Sequence, residues 1–247
     1  VVTCPGDITV SNDLGDCGAI VNFEATATDN CSTFGGGTAP SSPMVISGVF
    51  DGPITGGIPK VVEFYVISDI ADLSLYGFGA ANNGGGTDGQ EYTFSGSANA
   101  GDRIYISTEI TAFTSYFGFA PTDTDSDAGI NGDDAIELFY NGSVIDTFGA
   151  LTGGNSGWNY TDGWAYRSNN TGPDGSTFVP GNWTFSGANA TDNCTTNASC
   201  SSVFPIGTYT NSSGGGSGGT ISYSHQPGDF FPVGTTEVTV TATDAAG

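Results

Sequence analysis

The sequence predicts an all-β protein, and three observations carry that prediction. Short segments in which apolar and polar residues alternate recur along the chain, rich in Val, Ile, Thr and Tyr. No window sustains a 3.6-residue apolar period. Forty glycines, 11 prolines and a single Met, with abundant Ser, Thr and Asn, favour turns over helices. In chain order the expected strands are Ile8 to Val10, Ala19 to Phe23, Val61 to Ile67, Arg103 to Ile106, Ala135 to Tyr140, Val144 to Phe148 and Thr236 to Ala242. Asn141-Gly142, between two of them, signals a two-residue hairpin turn.

At 247 residues, 37% hydrophobic and 12% aromatic, the chain has material for one large β-domain or two modest ones. Twenty-six acidic side chains face three basic ones, a formal charge of −23. Lys60, Arg103 and Arg167 cannot line a phosphate-tracking groove, so nucleic acid is excluded as a partner. An anionic surface suits divalent cations or neutral, hydroxyl-rich ligands. No apolar run reaches membrane-spanning length, which argues against membrane insertion, and any export signal is expected outside these residues. Cys4, Cys17, Cys31, Cys194 and Cys200 show no CxxC spacing, and one histidine is poor material for a zinc site. Disulfides formed in an oxidising, extracellular setting are the expectation. The odd count leaves one cysteine free or paired beyond residue 247.

Two composition shifts mark seams, at 35–43 (Gly-rich, then Pro-containing) and at 212–219 (Gly/Ser only). The second reads equally as a natural linker or an engineered splice. The flanks read as halves of one domain. Cys4-Pro5-Gly6-Asp7-Ile8-Thr9-Val10, Gly15-Asp16-Cys17-Gly18-Ala19-Ile20-Val21 and Ala27-Thr28-Asp29-Asn30-Cys31 resemble the hyalin repeat (HYR), as does Phe231 to Gly247, FPVGTTEVTVTATDAAG. That family is an immunoglobulin-like β-sandwich found in tandem in extracellular adhesive proteins. The resemblance implies a repeat split into 1–34 and 220–247, a Cys17–Cys31 bridge, and a partner for Cys4 on a final strand after residue 247. Cys194 and Cys200 would close a local loop worth about 2 kcal/mol.

The insert, 44–211, is similar to a bacterial lamin-tail-type domain, also an immunoglobulin-like sandwich. The similarity rests on Met44-Val45-Ile46-Ser47-Gly48-Val49-Phe50, Asp72-Leu73-Ser74-Leu75-Tyr76-Gly77, Asn131-Gly132-Asp133-Asp134-Ala135-Ile136-Glu137-Leu138 and Gly163-Trp164-Ala165-Tyr166-Arg167. Phe204-Pro205-Ile206-Gly207-Thr208-Tyr209 extends it. The expected architecture is two immunoglobulin-like β-sandwiches, one inserted into the other.

Three constellations bear on chemistry. Asp123, Asp125 and Asp127, followed by Asn131, Asp133 and Asp134, offer hard oxygen donors suited to calcium. The competing reading is a solvated acidic turn whose carboxylates cap backbone amides. Asp29 and Asp244 are weaker candidates of the same kind. Trp158, Tyr160 and Arg167 lie in an aromatic run that suits a sugar-binding surface, with Trp158 in a glycine-rich loop expected to be exposed. Core packing is the alternative, and it is the expectation for Trp164 and Trp183. Catalysis has little support: the one histidine, His225, has no nucleophile elbow beside it, and no acid pair stands out.

The resemblance implies a non-catalytic extracellular module of a large cell-surface protein, in which an HYR stalk presents the inserted sandwich to a surface polysaccharide or protein ligand. Neighbouring HYR repeats are the expected partners within the chain. Such arrays resemble large bacterial surface adhesins, including those used in gliding and exported by the type IX route. The alternatives are a carbohydrate-binding module of a secreted polysaccharide-degrading enzyme and a passive spacer.

Overall fold

The computed structural model describes residues 2–23, 25–28, 33–34, 42–211, 220–225 and 229–243. Cys31, Asp29, Asp244 and the segments 35–41 and 212–219 lie outside the described residues. Short strands in several sheets dominate, with a single α-helix among the described residues. Contacts divide the chain into two compact units, one of Val1–Pro40 with Ser213–Gly247, the other of Ser41–Ser212.

In the flanking unit, Val2–Thr3, Thr26–Thr28 and Thr33–Phe34 form a three-stranded antiparallel sheet. Gly18–Ile20 pairs antiparallel with Phe230–Pro232, so residues from both ends of the chain share one ladder. Thr220–Tyr223 pairs with Val240–Thr243. Phe23 packs edge-on against Tyr223 and Phe231, at 5.6 and 6.1 Å between ring centroids. The expected strand Ile8 to Val10 does not form: the segment is irregular, with Ile8 and Val10 about half exposed. Its alternation supplies a face, but no described strand pairs with it. Cys4 and Cys17 are exposed and form no disulfide among the described residues.

In the central unit we label the strands β1 (Met44–Ile54), β2 (Ile58–Val66), β3 (Tyr76–Ala81), β4 (Tyr92–Thr93) and β5 (Arg103–Ser107). Helix α1 (Ile110–Phe117) follows, then β6 (Asp123–Thr124), β7 (Ala135–Tyr140), β8 (Ser143–Phe148), β9 (Trp164–Arg167) and β10 (Trp183–Phe185). A six-stranded sheet runs β6-β5-β2-β1-β9-β10 and a four-stranded sheet runs β8-β7-β3-β4. Among the described residues only the β5–β6 pair is parallel.

The two sheets enclose the main core, in which Met44, Ile46, Val62 and Phe64 of one meet Phe78, Ile136, Leu138 and Phe148 of the other. The opposite face of the six-stranded sheet is covered too. There Val45, Phe50, Val61, Tyr65 and Tyr166 pack under α1 and the segment carrying Cys200, Phe204 and Tyr209. Burial on both faces explains why β1 reads as a nearly continuous apolar run. A register shift between Ile46 and Gly48 keeps Met44, Ile46 and Val49 on the inner face, because the extra residue resets the two-residue period.

Local chemistry accounts for the tight turns. Asn141 and Gly142, at φ 47° and 74°, make the predicted β7–β8 hairpin, with Tyr140 paired to Ser143. Helix α1 was not anticipated, because its apolar residues span only two turns. Glu109 caps it by accepting from the Ala112 amide at 2.7 Å, Phe113 and Tyr116 point into the core, and left-handed Gly118 ends it. Cys194 and Cys200 are joined by a disulfide, with Cα atoms 5.2 Å apart.

Candidate functional site

The acidic segment from Asp123 to Asp134 folds as a series of caps and turns. Asp123 accepts from the Tyr92 hydroxyl and from the Thr124 amide, both at 2.8 Å. Asp125 caps a 3-10 turn at Ser126–Ala128 and accepts from the Asp127 amide at 2.9 Å. Burial pushes the Asp127 carboxyl up, and the nearby charges of Asp125 and Glu91 add to the shift. Asp134 is fully buried: one oxygen accepts from the Asn83 amide at 2.8 Å, the other from the Asn131 amide at 2.7 Å and its side chain at 3.1 Å. Asp133 is half-buried. Among the described residues no three His, Cys, Asp or Glu gather in a group that could hold a metal ion.

The aromatic constellation is interior, which corrects the expected exposure of Trp158. The Trp158 ring is 4% exposed and packs edge-on against Phe148 and Phe178, so the loop's glycines curl it inward. Tyr160 is fully buried and donates its hydroxyl to the Asp134 carbonyl at 2.8 Å. Burial raises its pKa well above that of a free phenol, and the charge of Asp134 adds to this. Trp164 and Trp183 are buried, as framework residues should be.

Arg167 is the centre of a buried ion network rather than a surface contact. Its Nη2 donates to both Asp146 oxygens at 2.9 and 2.7 Å, Nη1 to Asp174 at 2.7 Å, and Nε to the Ile46 carbonyl at 2.6 Å. The guanidinium lies 4.5 Å from the Trp183 ring centroid. Asp146 also accepts from the Ile46 amide at 2.9 Å, so one cluster ties β1, β8 and β9 together across the sandwich. Burial raises the Asp146 carboxyl, against the opposing pull of Arg167. Glu63 is a third fully buried acid, beside Asp134 and Asp146. It accepts from Ser47, Tyr166 and the Gly207 amide, each at 2.8 Å, and burial raises it as well.

Sequence reasoning missed a cleft of about 260 Å³ where both sheets end. Leu73, Phe94 and Ile106 form its apolar wall, and half-buried Tyr92 flanks them. Ser95, Ser97, Asp102, Thr122 and Asp123 form its polar rim. No motif announces it, because β4 and β6 contribute from opposite sheets. The Tyr92 hydroxyl is pushed up by burial and by its hydrogen bond to Asp123, so at neutral pH it remains a donor.

His225 is exposed, with Nδ1 3.3 Å from the Ser224 hydroxyl and its ring 5.6 Å from Phe231. Among the described residues, no helix is long and apolar enough to cross a membrane. Two signature segments recur: Ala27-Thr28-Asp29-Asn30-Cys31 reappears as Ala190-Thr191-Asp192-Asn193-Cys194, and Phe231-Pro232-Val233-Gly234-Thr235 is echoed by Phe204-Pro205-Ile206-Gly207-Thr208. No curated protein and no solved structure matches the chain. The family model of the HYR domain matches residues 203–247.

Proposed function

We propose that the chain is a non-catalytic extracellular adhesion and display module of a larger cell-surface protein. In this reading an HYR stalk presents a lamin-tail-like sandwich to a surface polysaccharide or protein. The HYR match at 203–247 carries the reading, because HYR domains are adhesion-type modules of extracellular proteins. The all-β fold and the Cys194–Cys200 disulfide agree with an oxidising exterior. The charge of −23 favours neutral partners over nucleic acid. A second reading, a carbohydrate-binding module of a secreted polysaccharide-degrading enzyme, draws on the amphipathic cleft beside Tyr92.

The test is attachment. Beads coated with the chain are passed over polysaccharide-coated, protein-coated and bare surfaces, once with calcium and once with EDTA. Retention on coated surfaces above uncoated beads supports adhesion, and a dependence on calcium would assign the ion a part in it. Beads that attach to nothing in either buffer leave a passive spacer.

A further inference from the structure

We propose that the cleft beside Tyr92 in the central unit binds a single neutral sugar ring. The proposal rests on the adhesion reading and supplies it with a site. The cleft opens where β4 closes one sheet and β6 closes the other, with half-buried Tyr92 at its mouth and the buried side chains of Leu73, Phe94 and Ile106 behind it. At about 260 Å³ it lies just below the ~300–1,000 Å³ of drug-sized pockets, which suits one ring rather than a length of chain.

The lining matches an amphipathic, uncharged ligand. The partly exposed Tyr92 ring, backed by buried Leu73 and Phe94, faces the C–H side of a pyranose, and the rim offers hydrogen-bonding groups to its hydroxyls. Ser95 and Ser97 are exposed hydroxyls able to donate and accept. Asp123 spends one acceptance on Tyr92 and one on the Thr124 amide, and Asp102 spends one on the Asn99 amide. A carboxylate accepts about four hydrogen bonds, so both retain capacity for ligand hydroxyls.

Charge narrows the class further. Arg103 belongs to the cleft wall, but its guanidinium is held elsewhere, 5.3 Å from the Tyr65 ring centroid with Nη2 on the Tyr209 carbonyl at 2.9 Å. No cationic head is thereby offered to a uronate, sulfate or phosphate, and the two aspartates repel them. A cationic side chain is the competing ligand. It is disfavoured because the rim is mainly hydroxyls and both carboxylates are already partly hydrogen-bonded.

The experiment is saturation-transfer NMR on the full chain with methyl glucoside, methyl galactoside, methyl mannoside and, separately, lysine methyl ester. Two variants accompany it: Ser97→Trp, which plugs the cleft from an exposed position, and Asp123→Asn, which keeps an acceptor for Tyr92. Native tryptophan fluorescence confirms that each is folded. At least one glycoside should give signals from the native chain, Ser97→Trp should abolish them, and Asp123→Asn should weaken affinity about tenfold, as losing one charged hydrogen bond implies. Equal signals from native chain and plugged variant overturn the cleft but leave glycan contact standing elsewhere. Silence with every glycoside, or a response to lysine methyl ester alone, overturns the proposal. Bead attachment then reports independently on the adhesion reading.

Discussion

Replacing Arg167 by methionine is expected to destabilise the central unit by about 4 kcal/mol, the cost of leaving one member of a buried ion pair without its partner. The substitution removes four hydrogen bonds, two of them from Nη2 to the two Asp146 oxygens. Both side chains of that pair are fully buried, so water cannot replace the lost contacts. Arg167→Lys keeps the charge but loses the planar fork, and should fall between. The double variant Arg167→Met with Asp146→Asn removes both charges while keeping an acceptor for the Ile46 amide, and should recover much of the loss. All three tryptophans, 158, 164 and 183, belong to the central unit, so their fluorescence during urea unfolding reports on it separately from the flanking unit. A loss below about 1 kcal/mol for Arg167→Met, or a double variant less stable than the single, would refute the argument.

Three further outcomes follow from the buried groups. Burial raises the carboxyl of Glu63, which is hydrogen-bonded but not ion-paired, so it binds its proton more tightly folded than unfolded. That stabilisation is full below the unfolded value and is lost as pH rises through the folded one, so the tryptophan-detected Tm should climb as pH is lowered towards the ordinary glutamate value. A Tm that falls over this range would contradict the sign. Asp134→Ala strands the Asn83 and Asn131 amides and should cost about 2 kcal/mol equally in calcium and in EDTA; a loss confined to calcium buffer would mean that the carboxylates hold the ion instead. Reducing Cys194–Cys200 should cost about 2 kcal/mol in the same urea assay, and no change would remove the bridge from the stability of the unit.

What the sequence discloses depends on the range of each interaction. The β7–β8 hairpin was legible because Asn141 and Gly142 fix their own backbone. Helix α1 was hidden because eight residues barely reveal a period. Trp158 misled because glycines around a ring report loop freedom, and Phe148 and Phe178, which bury it, are not adjacent in sequence. Arg167 read as a surface contact for the same reason: Asp146 lies 21 residues away and the Ile46 carbonyl 121, and only folding joins them. The cleft left no local trace, since its walls come from the ends of two sheets.

The three cations are all turned to internal use: Lys60 on Asp51, Arg167 on Asp146 and Asp174, and Arg103 half-buried against Tyr65. The water-facing side of the protein is thus close to a polyanion. Copies tethered side by side would repel over roughly a Debye length, about 8 Å in physiological salt and about 30 Å at 0.01 M. Such a layer behaves as a brush, swollen in fresh water and compressed in brine, with the spacing between neighbours set by the ionic strength outside.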